Sequence, residues 1–306
     1  ELEAAPGVKF LGGAQQAITL LARVLLDEGA TAAIEDPVYE LAEMALKAHG
    51  AKLRAVPVDA AGLRVEGLPG RGLRMVLVTP SHQFPSGAVM SIERRMALLD
   101  YADRTSAWIV EDDYDGEFRF AGPPLPALRS LDTSSRVIYV GSFSKTLFPA
   151  LRLGYVICPP SLRDDLIAAK RLDDLGCPAI EQAALAELMS SGAFDRHLRH
   201  AANELRRRRT ALLLGLARHA ARHVLVHDSG AGMHVVGWLP GWTQDMVDAF
   251  VDAARERGVG VQSIAPHFRR VPAPSGVLLG YAGSSPKQLG AAAVLIGECL
   301  NVVAKA

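Results

Sequence analysis

Val137-Ile-Tyr-Val-Gly-Ser-Phe-Ser-Lys145 begins as an apolar run of strand length and ends in small polar residues and a lysine. The same grammar occurs twice upstream, in Met75-Val-Leu-Val-Thr-Pro-Ser-His-Gln-Phe-Pro-Ser-Gly87 and in Trp108-Ile-Val-Glu-Asp-Asp-Tyr114. Tyr155-Val-Ile157 adds another apolar run, and helical stretches over 92–104 and 160–172 separate several of these segments. Short apolar runs bounded by turn residues read as strands buried on both faces, and buried strands alternating with helices make a mainly parallel, doubly wound α/β sheet. Before them, Ile18, Leu21, Ala22 and Leu25 keep the i, i+3, i+4, i+7 rhythm of a helix packed on one face, entered through Gly12-Gly13.

Beyond Asp173 the pattern becomes helical, over 180–191 and 194–219. It then alternates strand candidates at 224–226, 233–238, 259–264 and 277–281 with helices at 243–257 and 286–303. This reads as a smaller α+β domain, so residues 1–210 are expected to form a large domain and 211–306 a small C-terminal one. A length of 306 residues leaves room for both cores. The opening, Glu1 to Gly13, reads as a chain already inside a domain, so the large domain's N-terminal arm is expected to lie outside it.

Lys plus Arg and Asp plus Glu both total 33, which leaves no net basic footprint for nucleic acid. Cys158, Cys177 and Cys299 are far apart, which excludes a CxxC site or disulfide framework and fits a reducing, cytoplasmic compartment. The most apolar stretch, 291–304, is shorter than the about 20 residues that span a bilayer.

In open α/β sheets ligands sit beyond the carboxyl ends of the strands, where this chain places Ser81 to Gly87, Glu111 to Tyr114 and Gly141 to Lys145. Gly13-Ala-Gln15 adds a helix start, whose free N–H groups and positive dipole end suit a phosphate. Each piece alone has a plainer reading: a tight turn, a helix cap or metal carboxylate pair, a surface lysine. Together and in order they match the needs of pyridoxal 5'-phosphate. That cofactor takes a lysine amine (Lys145), an acid at its pyridine nitrogen (Asp112), a donor at its phenolic oxygen (Tyr114) and an anion site (Ala14, Gln15).

With Glu35-Asp-Pro-Val-Tyr39 and Leu151-Arg-Leu-Gly-Tyr155, these motifs resemble the fold-type I, class I/II aminotransferases from Phe10 onward. The resemblance implies that Tyr39 stacks on the cofactor ring. Ser142, Ser144 and Arg152 then join Ala14 and Gln15 at the phosphate, and Lys145 carries the internal aldimine. The wording His-Gln-Phe-Pro-Ser-Gly, Glu-Asp-Asp-Tyr-Asp-Gly-Glu-Phe-Arg and Gly-Ser-Phe-Ser-Lys-Thr-Leu-Phe-Pro is similar to MocR/GabR-type regulators of the GntR family. There a winged-helix domain binds DNA, while an aminotransferase-like domain binds the cofactor, senses an amine or amino-acid effector and forms a homodimer. The expectation is therefore a sensor and dimerisation domain, with any DNA contact made by a winged-helix segment outside this chain. The alternatives are a working aminotransferase and a scaffold without cofactor.

Two positions depart from the aminotransferase pattern. Phe84 stands where an Asn commonly contacts the phenolic oxygen, and Leu278-Leu-Gly-Tyr281 lacks the Arg that grips a substrate carboxylate. His82, His267 and Arg269, with Arg270, are the candidates for effector contact, although exposed loop charge is the plainer reading of the arginines. The four arginines at 206–209 read as a solvated helix face, and His219, His223 and His227 lack the acidic partner of a helical zinc motif, so no metal is expected.

Overall fold

The computed structural model describes residues 8–122, 125–269 and 274–305. It divides the chain into two compact units, one comprising the described residues within 1–84, 88–116 and 123–198, the other those within 85–87, 117–122 and 199–306.

The first unit is built on an eight-stranded sheet. Its strands are β1 (Val8–Leu11), β2 (Thr31–Asp36), β3 (Lys52–Asp59), β4 (Gly62–Leu63), β5 (Leu73–Val78), β6 (Trp108–Asp113), β7 (Val137–Ser142) and β8 (Gly154–Ile157), in the order β1-β8-β7-β6-β5-β2-β3-β4. The pairs β3/β2, β2/β5, β5/β6 and β6/β7 are parallel, as the alternation with helices implies. The helices are α1 (Ala14–Leu25), α2 (Glu40–Ala48), α3 (Ile92–Thr105), α4 (Leu128–Leu131), α5 (Arg163–Asp174) and α6 (Ala179–Ser190).

Strand alternation shows why the apolar runs are continuous. Ile34, Leu77 and Val110 share a core with Ile18, Leu21 and Leu25 of α1 and Leu166 of α5, whereas Ala33, Val76 and Ile109 share another with Leu98 and Ala102 of α3 and Leu128 of α4. Both sheet faces are therefore covered, and neighbouring strand residues are both buried. The α1 stripe read from spacing is fully buried at Ile18, Leu21 and Ala22.

Strand β8 runs antiparallel to β7. A parallel return needs a crossover of about a dozen residues or more, normally a helix, but Phe143 to Leu153 fold as turns and a short 3-10 turn instead. The consequence is local: both ends of that loop, with Lys145 and Arg152, stay at the carboxyl edge of β7. Strand β1 pairs antiparallel with β8, Leu11 facing Gly154, so Gly12-Gly13 and the start of α1 reach the same edge.

The second unit has a four-stranded antiparallel sheet in the order β11-β12-β10-β9, from β9 (Leu225–His227), β10 (His234–Trp238), β11 (Gln262–Ser263) and β12 (Gly276–Gly280). Its core joins Leu212 and Leu216 of α7 (Ala193–His219), Phe250 of α8 (Gln244–Glu256) and Ile296 and Leu300 of α9 (Pro286–Val303) to Val235, Val277 and Leu279. Thr243 and Ser285 cap α8 and α9, the latter through a reciprocal Ser285/Gln288 capping box. The division between the units falls at Leu198 and Arg199, inside the helix that also contains the expected break after Thr210.

Candidate functional site

Four acidic residues at and just past the end of β6 have four different surroundings. Glu111 accepts from the backbone N–H groups of Leu128 and Arg129, both at 2.9 Å, and so caps α4, with Arg95 of α3 at 3.8 Å. Asp113 accepts from the Tyr139 hydroxyl at 2.8 Å. Asp115 lies 3.0 Å from Nδ1 of His82. Asp112 is buried like Glu111 and Asp115, and one oxygen each of Asp113 and Asp115 also lacks a partner, but Asp112 differs in making no side-chain hydrogen bond at all among the described residues. Burial, then the charges of Asp113, Asp115 and Glu35, push its pKa from 3.8 to about 7.

An aromatic frame stands beside it. Tyr39 precedes α2 and meets Phe84 edge to face at 5.8 Å between centroids, and Phe84 meets Tyr114 the same way at 6.1 Å. The Tyr39 phenol is raised by burial and by the charge of Asp112, which places it in that carboxylate's field. Glu35, at the end of β2, knits the frame together. Its Oε2 accepts from the Thr79 backbone N–H at 3.1 Å, the Thr79 hydroxyl at 2.6 Å and Gln83 Nε2 at 3.3 Å. Burial lifts Glu35 to about 7 despite these bonds. Sequence reading placed Glu35 in a motif without giving it a task; a buried acid between strand-end polar residues was the available signal.

A third cluster forms an anion cradle. Helix α1 opens after Gly13, whose φ of +107 belongs to the region glycine adopts freely, and its first-turn N–H groups have no intrahelical acceptor. The Arg152 guanidinium lies 3.5 Å from where a Gly13 Cβ would stand. A Cβ on Gly154 would come within 2.9 Å of Gly13 Cα, so that glycine lets the two backbones close on each other. Ser142 ends β7 and its Oγ accepts from the Ser144 N–H at 3.2 Å. Gln15 donates Nε2 to the Leu41 carbonyl at 3.0 Å, tying α1 to α2, while its Oε1 is buried without a partner. Lys145 follows on the same loop with an exposed side chain.

This arrangement offers positive charge and backbone donors, a buried acceptor, aromatic rings and, on the loop that leaves β7, a lysine amine. It suits a flat, anionic heteroaromatic ligand carrying an electrophile.

The protein-family model for aminotransferase class I and II matches residues 1–293. The chain belongs to the aminotransferase class I and II family. Among curated relatives of this class I and II chain, the probable rhizopine catabolism regulatory protein MocR of Rhizobium meliloti is 39% identical over 289 residues, covering 94% of this chain and 58% of its own length. The pyridoxine biosynthesis transcriptional regulator PdxR of Corynebacterium glutamicum is 34% identical over 284 residues, 88% of this chain and 57% of its own length. This family member thus spans less than two thirds of the regulators it matches. Among solved structures, the α-aminoadipate aminotransferase LysN of Thermus thermophilus, complexed with N-(5'-phosphopyridoxyl)-L-leucine, superposes with a TM-score of 0.90 at 28% identity, covering 98% of this chain and 78% of that one. Fold type I is thereby shown, with a mainly parallel large sheet and a smaller α+β part.

Within this class I and II chain, Ala14, Gln15, Tyr39, His82, Asp112, Tyr114, Ser142, Ser144, Lys145 and Arg152 all fall in the first unit. His267 ends a 3-10 turn and Arg269 is exposed in the second, and Arg270 lies outside the described residues. The arginine run is internally engaged: Arg207 and Arg208 pair with Glu204, Arg209 with Asp228, and Arg206 lies over Phe120. His223 Nε2 donates to Asn301 Oδ1, 3.0 Å away. No described helix is long and apolar enough to cross a membrane.

Proposed function

We propose that this chain is the pyridoxal-phosphate-binding, effector-sensing and dimerising part of a cytoplasmic bacterial transcriptional regulator. The observation that carries the cofactor reading is the partnerless, buried Asp112 Oδ1 on the edge where Lys145 stands. A buried acceptor without a donor is costly unless a ligand supplies one, and a protonated pyridine nitrogen does. The first turn of α1, with Ala14 and Gln15, together with Ser142, Ser144 and Arg152, would hold the phosphate; Tyr39 would stack on the ring and Tyr114 would donate to its phenolic oxygen. When bound, pyridoxal phosphate supplies an aldehyde that condenses with amines and a ring that withdraws electrons. Lys145 would be the amine that holds that aldehyde, an amine or amino-acid effector would compete with it, and the effector's unequal affinity for two arrangements of the protein would shift their populations. His267 and Arg269 are proposed contacts for the effector's acid group. DNA recognition belongs to a winged-helix segment beyond these 306 residues, as the partial coverage of the MocR and PdxR relatives supports.

The aminotransferase reading draws on the aromatic-amino-acid aminotransferase 1 of Thermococcus litoralis, 31% identical over 237 residues. Phe84 and Leu278 weigh against it, because neither offers the polar grip that orients a substrate for repeated turnover. Incubating the cofactor-loaded protein with an amino acid and an excess of 2-oxo acid decides between them. A sensor gives spectral change with at most one equivalent of product, and sustained product formation over many cycles would overturn this reading.

For the homodimer, Leu172, Leu175 and Ile180 are 83%, 86% and 83% exposed at the end of α5 and the start of α6. Beside them, Leu11, Val156, Leu166, Ile167 and Leu175 line a pocket of about 310 Å³. Large apolar side chains so exposed mark an interaction surface. Leu172→Glu combined with Ile180→Glu is expected to convert dimer to monomer in sedimentation velocity at micromolar concentration. An unchanged sedimentation coefficient would place the interface elsewhere.

A further inference from the structure

Behind Tyr114 lies a pair of groups to which cofactor binding gives no direct task. His82 and Asp115 are 2% and 1% exposed, and His82 Nδ1 stands 3.0 Å from Asp115 Oδ2. The same nitrogen stands 3.0 Å from the Tyr114 hydroxyl. A ring nitrogen presents either one hydrogen or one lone pair, so it cannot donate to the carboxylate and accept from the phenol together. A carboxylate only accepts, which makes Nδ1–H the donor to Asp115. The Tyr114 proton then has Asp115 as its inward acceptor too, a hydrogen bond that holds the phenol neutral. Burial and the charges of Asp115, Asp112 and Glu35 raise the phenol well above its ordinary range, in the same sense.

Tyr114 has a single proton, and the neighbouring Phe84 ring supplies none. The inward carboxylate and an oxyanion bound in front therefore compete for it. We propose that His82 and Asp115 are positioning residues that set which way the Tyr114 hydroxyl proton points, and so how strongly the protein stabilises the phenolic oxygen of a bound pyridoxal-type ligand. His82 moderates the contest by satisfying one lone pair of Asp115. The inference rests on the cofactor reading above, and assigns His82 a place behind Tyr114 in addition to its candidacy for effector contact.

The test is the pH midpoint of the visible absorbance change of the cofactor-loaded full chain, together with the cofactor's dissociation constant. A phenolic oxygen that loses its donor binds a shared proton more tightly, so Tyr114→Phe raises the midpoint. His82→Ala leaves Asp115 short of a donor, draws the Tyr114 proton inward and raises it too. Asp115→Asn removes both the competing acceptor and a negative charge, and lowers it. Each displacement is expected to be about one pH unit, the equivalent of one charge-assisted hydrogen bond. His82→Asn, which keeps an N–H donor, restores part of the shift and serves if His82→Ala does not fold. A purely structural role moves thermal stability but gives no opposite signs. Midpoints that stay put, or move together in one direction, for the His82 and Asp115 variants overturn the proposal. Failure of the cofactor reading looks different, because the unmodified chain then takes up no pyridoxal phosphate and both ideas fall.

Discussion

Lys145→Ala protein saturated with pyridoxal phosphate is expected to lack the visible band that covalent capture by an amine produces, while the unmodified chain shows it. The loss should be complete, because the reaction needs an uncharged nucleophilic amine within reach of the anchored ring. Lys145 has an exposed side chain on the loop that leaves β7, whereas Lys47 and Lys170 are held by Glu43 and Asp174. An ammonium in an ion pair is a poor nucleophile, so these two lysines are not substitutes. Weak, noncovalent binding should survive through Arg152 and the start of α1, and should be competed by inorganic phosphate. Retention of the band in the variant would assign capture to another amine and would refute the placement of Lys145.

Asp112→Asn is expected to weaken cofactor binding by roughly 10- to 100-fold, the worth of a buried hydrogen bond to a charged group, and to change how stability depends on pH. In the cofactor-free chain Asp112 and Glu35 both sit at about 7, against 3.8 and 4.5 for ordinary groups. The folded chain therefore binds more protons than the unfolded one between about pH 4 and pH 7. Their stabilisation is complete below that window and is lost as pH rises through 7. Asp112 titrating alone would account for about 4 kcal/mol; mutual repulsion with Glu35 makes the two contributions interdependent. A positive charge on the bound ring opposes the burial cost, so cofactor should flatten the decline. The Asn variant should show a flatter decline even without it. Urea unfolding at a series of pH values, with and without pyridoxal phosphate, measures both effects. Parallel curves for variant and parent would show that Asp112 does not carry the titration.

Much of the architecture is legible because the parallel strands are apolar on both faces, and a run such as Val137 to Val140 has few other homes. Strand β2 is harder to see: Thr31-Ala-Ala-Ile-Glu-Asp36 is buried throughout most of its length, yet two of its residues are alanines, too small to register as an apolar run. Strand β3 alternates Lys, Leu, Arg and Ala and contains Pro57, which blurs it further. The pieces contributed to the second unit by 85–87 and 117–122 leave no trace in composition. Nor does the division inside α7, because a single helical period runs through it.

By itself the sequence determined the class of fold, through periodicity and through polar clusters that follow apolar runs. It also determined the family, through Lys145, Asp112, Tyr114 and the Gly13 turn in their order. What only the tertiary structure decided is which of several chemically similar groups does which task. Glu111, Asp112, Asp113 and Asp115 are all acids within five residues of chain, but one caps α4, one meets Tyr139, one meets His82, and Asp112 makes no side-chain hydrogen bond among the described residues. The reason is physical: residue type specifies what a side chain is able to bind, while strand alternation and the approach of distant elements specify what it meets. The lack of hydrogen-bond partners that singles out Asp112 exists only after β2, β5 and β6 have come together.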